Sequence, residues 1–269
     1  MIDLIMLVVY CYKYKMNATR KTKILSGYKN RYARQISMPA IGLKGQKKMR
    51  TASILIIGAG GLGSPAAFYL ASAGIGTIGL VDNDLVELSN LQRQILHTTA
   101  DLSRQKTISA AEKLHALNPD ITIRKHNQRF SPLNAIQLVK QYDFVIDATD
   151  NFQSKFLIAD ICHETRIPYN HGGVLEFLGQ TMTVIPGKTA CYRCIFQQPP
   201  EEHENAIPRG PLGTVPGVIG TIQAMEAIKY VLNIGNLLTN RLLVYESLST
   251  SFRDVKLTRN RYCPVCGRK

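Results

Sequence analysis

The sequence predicts an α/β fold, a doubly wound sheet that is parallel in its first half and carries antiparallel strands in its second. Three observations predict it. The run Ser53–Ile57 is continuously apolar and leads straight into Gly58-Ala59-Gly60-Gly61-Leu62-Gly63, as a strand covered on both faces does when it turns through glycines into a helix. A second apolar run, Thr77–Val81, ends on Asp82 and completes a βαβ unit. Beyond residues 167–169 the pattern changes, and residues 179–185 read as an antiparallel strand.

The remaining elements follow in order. Residues 64–73 are helical, with Gly74 as a terminator. In Lys106–Leu117, Ile108, Ala111, Leu114 and Leu117 lie three apart, a helical stripe stopped by Asn118-Pro119. Residues 121–123 form a strand, and residues 144–149 form a third core strand with a polar end. The Pro- and Glu-rich residues 197–211 read as a mobile loop. Residues 221–233 are a helix with Ile222, Met225, Ile228 and Leu232 on one face, and residues 242–245 and 251–255 add late strands. A nucleotide-binding half, about residues 50–150, and a mixed half, residues 151–269, thus share one Rossmann-like sheet. They form a single domain over residues 28–269, preceded by an extension of residues 1–27 outside the fold.

Composition narrows the class. With 45% hydrophobic and 19% charged residues, the chain is globular and long enough for one to two domains. The formal charge of +14 is concentrated between Lys13 and Arg50. It attracts anions in general, but no RNA-binding aromatic signature or helix-turn-helix pattern accompanies it, so dedicated nucleic-acid binding is not expected. Residues 1–12 are apolar yet shorter than the ~20 residues a bilayer span needs, and they lack a basic start and a cleavage site. They read as an extension upstream of a start at Met16, and a cytoplasmic protein without a membrane anchor is expected.

Six cysteines include two C-x-x-C pairs, Cys191/Cys194 and Cys263/Cys266. Together they offer four thiolates to a tetrahedral Zn2+ in a closed, structural site that ties distant parts of the chain. A redox C-x-x-C is the competing reading, and it accounts less well for two pairs, neither of which opens a thioredoxin-like unit. Cys11 and Cys162 stand alone.

The glycine motif points to a nucleotide whose phosphates sit on backbone N–H groups at a helix start. Asp82 is placed to accept ribose hydroxyls. Taken alone, this fits NAD at least as well as ATP. The flanking residues discriminate. The polar run Asp82-Asn83-Asp84-Leu85-Val86-Glu87-Leu88-Ser89-Asn90-Leu91-Gln92-Arg93-Gln94 has no purpose in hydride transfer. Together with the glycines, Arg34-Gln35 and Asp147-Ala148-Thr149-Asp150-Asn151, it resembles the MoeB/ThiF/HesA family, bacterial relatives of ubiquitin-activating enzymes, and most closely the MoeB type. The resemblance runs over residues 28–267, with five signatures in the family's order.

The resemblance implies ATP- and Mg2+-dependent adenylation of the C-terminal glycine carboxylate of a ubiquitin-like sulfur carrier ending in Gly-Gly, of the molybdopterin or thiamine type, with release of pyrophosphate. It implies nucleotide binding by Gly58, Gly60, Gly61, Gly63, Asp82, Asp84, Asn90 and Gln94. Arg93 and Lys106 match its phosphate-contacting cations, Asp150 its Mg2+-organising acid, and Arg34 an arginine that reaches into the neighbouring subunit of a homodimer. The same resemblance assigns zinc to Cys191, Cys194, Cys263 and Cys266. Each site residue also has a plainer reading: a surface cation for Arg93, a solvated helix start for Lys106, a helix cap for Asp150.

The chain departs from many relatives in residues 204–213, where a cysteine that can bond the carrier is missing and Ala206 takes the nearest place. Adenylation needs only positioning and charge. Sulfur is therefore expected from a separate donor, a cysteine desulfurase or rhodanese. Three alternatives remain: adenylation of another carboxylate (a peptide or a tRNA-modification substrate), a non-catalytic nucleotide-binding scaffold, and an NAD dehydrogenase.

Overall fold

The computed structural model describes residue 27 and residues 30–198 and 210–267. The expected extension of residues 1–27, apart from residue 27, and most of the expected loop at 197–211, Ala206 included, lie outside the described residues. The chain divides into two compact units, residues 1–47 and 48–269. In the first, α1 (Ala33–Ile36) precedes α2 (Gly42–Thr51), which continues past the boundary.

The second unit is built on one eight-stranded sheet: β1 (Ser53–Ile57), β2 (Thr77–Val81), β3 (Thr122–His126), β4 (Phe144–Asp147), β5 (Tyr169–Leu175), β6 (Leu178–Val184), β7 (Arg241–Glu246) and β8 (Ser251–Lys256), in the order β3-β2-β1-β4-β5-β6-β7-β8. Strands β3 to β5 across this order pair in parallel, and β5 to β8 pair antiparallel. Parallel strands need helical crossovers, supplied by α3 (Gly63–Ala73), α4 (Lys106–Leu117), α5 (Ala135–Val139) and α6 (Phe152–Thr165). The short α7 (Tyr192–Ile195) and the long α8 (Thr214–Leu232) belong to the second half. Residues Ile54 to Ile57 are at most 2% exposed, which is why β1 reads as an unbroken apolar run.

Register positions the site. Ile57 stands opposite Val81 on β2 and Asp147 on β4, and Asp147 stands opposite His171 on β5. The carboxyl ends of the three central parallel strands therefore open at one level. Strand β5 pairs with β4 only through Tyr169, Asn170 and His171, then runs on beside β6 as a hairpin. The parallel half passes into the antiparallel half along this one strand.

Two elements differ from expectation for physical reasons. Helix α8 begins at Thr214 rather than near 221. Pro216, Gly217 and Gly220 mask its first turns in the sequence, yet proline is tolerated in a first turn, where its missing N–H has no helical partner. Strand β5 carries Asn170, His171, Gly172 and Gly173, a polar and glycine-rich stretch without the alternation that marks a strand.

Candidate nucleotide-binding site

The strand ends open into a cleft of about 1000 Å3. On one side runs the glycine loop. Gly58 has φ +101, and a Cβ there would come 2.6 Å from the Ala148 carbonyl oxygen. A Cβ at Gly63 would strike the Gly58 carbonyl. Only glycine lets β1 turn this tightly into α3. The peptide of Ala59 is held from both sides. Its N–H donates to Asp82 Oδ2 (2.8 Å), and its carbonyl accepts from His97 Nε2 (3.0 Å). That fixes Nδ1 of His97 as the acceptor of the Ser109 hydroxyl at 2.9 Å. Burial pushes the His97 imidazole below the usual histidine range, which keeps this neutral arrangement.

Asp82 also accepts the Asp84 N–H at 2.8 Å through its other oxygen. Burial raises its pKa, and Lys106 opposes the rise. Each carboxylate oxygen has two lone pairs, so the loop bonds leave acceptor capacity for ribose hydroxyls. Lys106, expected either to contact phosphate or to be solvated, is buried at the start of α4 with Nζ 2.7 Å from Asp84 Oδ2. Arg93 is half-buried, donates to the Ser89 carbonyl at 3.1 Å, and has no carboxylate partner among the described residues. Gln94 is buried beside it with Oε1 unpaired.

Asp150 stands at another part of the rim. It is exposed and accepts from Asn151 Nδ2 at 3.4 Å. The cap of α6 is Asn151, whose Oδ1 accepts the Ser154 N–H at 2.9 Å, so the helix makes no use of the Asp150 carboxylate. Of the expected residues, Gly58, Gly60, Gly61, Asp82, Asp84, Arg93, Gln94, Lys106 and Asp150 line the cleft. Gly63 and Asn90 are not among its lining residues. Asn90 is buried and accepts the Glu87 N–H at 3.2 Å, shaping the turn that carries Arg93. Arg34 lies on α1, in the first unit.

Sequence reasoning missed a buried cluster at the floor. Asp147 receives both contacts of Lys155 Nζ (3.3 Å each), His171 Nδ1 (2.8 Å) and the Thr149 hydroxyl (2.7 Å). Lys155 also donates to the carbonyls of Thr149 and Gly172, at 2.6 Å each. Burial alone would raise the Asp147 pKa, but Lys155, His171 and Thr149 hold it down to about 2. The sequence signalled Asp147 only as the polar end of a strand and as the first residue of the Asp147–Asn151 signature, with no buried partner attached to it. Lys155 is on the next helix and His171 on the next strand, and no spacing rule joins them.

A folded pKa below the unfolded one adds stability above about pH 4 that is lost as pH falls toward 2. Lys155→Met leaves this carboxylate buried without its cation, with hydrogen bonds from His171 and Thr149 still in place, at an expected cost of about 3–5 kcal/mol at neutral pH. Urea titrations of both proteins at pH 7 and pH 3 check this. The deficit should shrink at acid pH, where Asp147 of the variant, no longer held down by Lys155, takes up a proton, and equal stability at pH 7 would contradict it.

The two C-x-x-C pairs meet. Cys191 Sγ lies 3.8 Å from Cys194 and 3.6 Å from Cys263, Cys194 lies 3.3 Å from Cys266, and all four sulfurs fall within 4.8 Å of one another. Zn–S bonds of about 2.3 Å in a tetrahedron put sulfurs about 3.8 Å apart, so this donor set fits zinc. Backbone N–H groups of Asn260 and Cys266 approach the sulfurs of Cys194 and Cys263 at 3.4 Å, as suits thiolates. Cys162 is buried in α6, and burial pushes its thiol well above the usual range.

The ThiF family profile matches residues 32–265. The chain is 41% identical over 240 residues to the SAMP-activating enzyme E1 of Haloferax volcanii, covering 88% of each chain. It is 40% identical over 247 residues to the sulfur carrier protein adenylyltransferase of Thermus thermophilus, covering 88% of this chain and 90% of that one. Among solved structures, E. coli MccB with ATP superposes with a TM-score of 0.78 at 25% identity, covering 93% of this chain and 81% of that one.

Proposed function

This chain belongs to the ThiF family, and we propose that it uses ATP to adenylate the C-terminal carboxylate of a ubiquitin-like sulfur carrier. One observation of the cleft carries the reading most directly: a glycine loop, a ribose-ready carboxylate and the cations Arg93 and Lys106 line one cavity, with a helix-independent carboxylate, Asp150, at its rim. The Haloferax relative is named a SAMP-activating enzyme and the Thermus relative a sulfur carrier protein adenylyltransferase, and MccB has been solved with ATP.

In the reaction, a carboxylate oxygen of the carrier tail attacks the α-phosphorus of ATP. The bond to the bridging oxygen breaks, and pyrophosphate leaves with that electron pair. Two anions must approach, so the site has to neutralise charge as it develops. Arg93 is placed to do so directly. Lys106 is held by Asp84 at 2.7 Å, and nucleotide phosphates would compete with Asp84 for it. The loop peptide clamped by Asp82 and His97 orients the nucleotide. We assign Mg2+ to Asp150, a hard oxygen ligand that would hold a hard cation there, and the ion would offset the charge of the nucleotide phosphates. Zn2+ in the four-cysteine cluster is structural. ATP–pyrophosphate exchange with carriers ending in Gly-Gly tests the reading, and no exchange with any such carrier would refute it.

Sulfur delivery is assigned to a separate cysteine desulfurase or rhodanese. The thiols among the described residues are either gathered in the zinc-type cluster or, at Cys162, buried and inert. The carrier's pathway, molybdopterin or thiamine, is decided by which carrier supports exchange. We also assign Arg34 to the partner's site in a homodimer in the cytoplasm. Arg34→Ala and Arg93→Ala, each inactive alone, should then regain activity when mixed. Half of randomly assorted twofold dimers are mixed, each with one complete site, so recovery should reach about a quarter of wild type. No recovery after subunit exchange would place Arg34 outside the site.

A further inference from the structure

The floor of the cleft holds an acceptor that nothing among the described residues satisfies. His171 must give Nδ1–H to Asp147 at 2.8 Å, because a carboxylate only accepts. Its Nε2 therefore carries a lone pair. That atom is buried and has no partner among the described residues. Lys155 already balances the charge of Asp147, so nothing calls for a second cation there, and burial pushes the imidazole further toward the neutral form. A lone pair repels carboxylate and phosphate oxygens. The group that belongs here is a donor.

The space next to it is shaped for backbone. Gly173 on β5 pairs with Gln180 on β6, and both line the cleft with His171. An atom at the position of the missing Gly173 Cβ would lie 3.5 Å from His171 Nε2 and 3.3 Å from Gln180 Nε2. The Gln180 amide makes no side-chain hydrogen bond among the described residues. One acceptor and one donor thus flank the Gly173 backbone, and among the described residues no side chain stands between them. A peptide group presents the complement, one N–H and one C=O.

We propose that His171 and Gln180 form a subsite for a peptide group of the incoming tail, His171 Nε2 accepting its N–H and the Gln180 amide donating to its carbonyl, with Gly173 leaving room for the chain. The subsite rests on the adenylation reading above and narrows it: the substrate is a polypeptide end, recognised through backbone, and not a small free carboxylate. His171 touches the substrate and is held in its tautomer by Asp147.

The test uses the intact enzyme and a semisynthetic carrier that supports pyrophosphate exchange. Each of its last peptide bonds is replaced in turn by an ester, which removes one N–H. One ester should raise the KM for carrier roughly tenfold, the equivalent of one hydrogen bond, with the KM for ATP unmoved. That penalty should vanish in His171→Asn. Gln180→Leu, which leaves the Asp147 cluster untouched, should raise the KM of the all-amide carrier by a similar factor, and 15N spectra should show the His171 Nε2 signal shifting when the tail binds. Esters indistinguishable from amides at every position overturn the subsite while leaving adenylation standing. An all-amide carrier that never supports exchange overturns the adenylation reading and the subsite with it.

Discussion

Arg93→Ala is expected to lower the rate of pyrophosphate exchange about 10²–10³-fold, the usual cost of losing one preorganised donor at a developing oxyanion, with the fold unharmed. Arg93 and Lys106, two of the basic residues that line the cleft, are not equivalent. Lys106 is buried and paired with Asp84, so part of its charge is already spent on the protein. Arg93 donates only to the Ser89 carbonyl and has no carboxylate partner among the described residues. Its guanidinium can present a planar fork to phosphate oxygens. Because no buried acid depends on it, its removal leaves no uncompensated charge, and thermal unfolding should match wild type. The loss should fall on kcat more than on the KM for ATP, as for an interaction that strengthens in the transition state. Wild-type exchange in the variant would remove Arg93 from the chemistry.

The parts of this site that could be read from sequence are those fixed by local chemistry. Gly58 and Gly63 are demanded by a positive φ and by a close backbone approach, constraints a glycine motif announces. Asp82 is set by the length of one βαβ unit. The cysteine pairs declare themselves because thiolates at that spacing have few other uses. What could not be read depends on crossovers. Asp147, Lys155 and His171 lie on a strand, the next helix and the next strand, and they meet only because β5 aligns His171 opposite Asp147. Asn90 sat in a legible motif, but its role in shaping the turn needed the fold. The start of α8 and the whole of β5 were hidden for one reason: glycine, proline and polar residues placed there for close packing erase the periodicity that would mark them.

Loss of the metal should cost stability on the same scale as loss of Lys155, and here activity should follow. Cys191 and Cys263 are buried in the same apolar cluster as Phe156, Tyr169 and Met182, and the cluster joins α7 to the turn that follows β8. If zinc is present at about a thousandfold above its dissociation constant, it adds on the order of 4 kcal/mol, which in a domain of this size is a thermal midpoint shift of roughly 10 °C. Cys191→Ser, or a strong chelator on the wild type, should lower the midpoint by that amount, and metal analysis should find zinc only in the untreated wild type. Activity should fall in parallel. Tyr192 follows Cys191 directly, lines the cleft and packs against His171 with ring centroids 4.7 Å apart, so slackening of α7 reaches the floor of the site. A redox pair predicts the opposite pattern: purified protein without zinc, a midpoint indifferent to chelator, and thiols lost in pairs on mild oxidation. The convergence of four sulfurs within 4.8 Å of one another favours the metal, because a tetrahedral ion uses four ligands whereas a redox couple needs only two thiols.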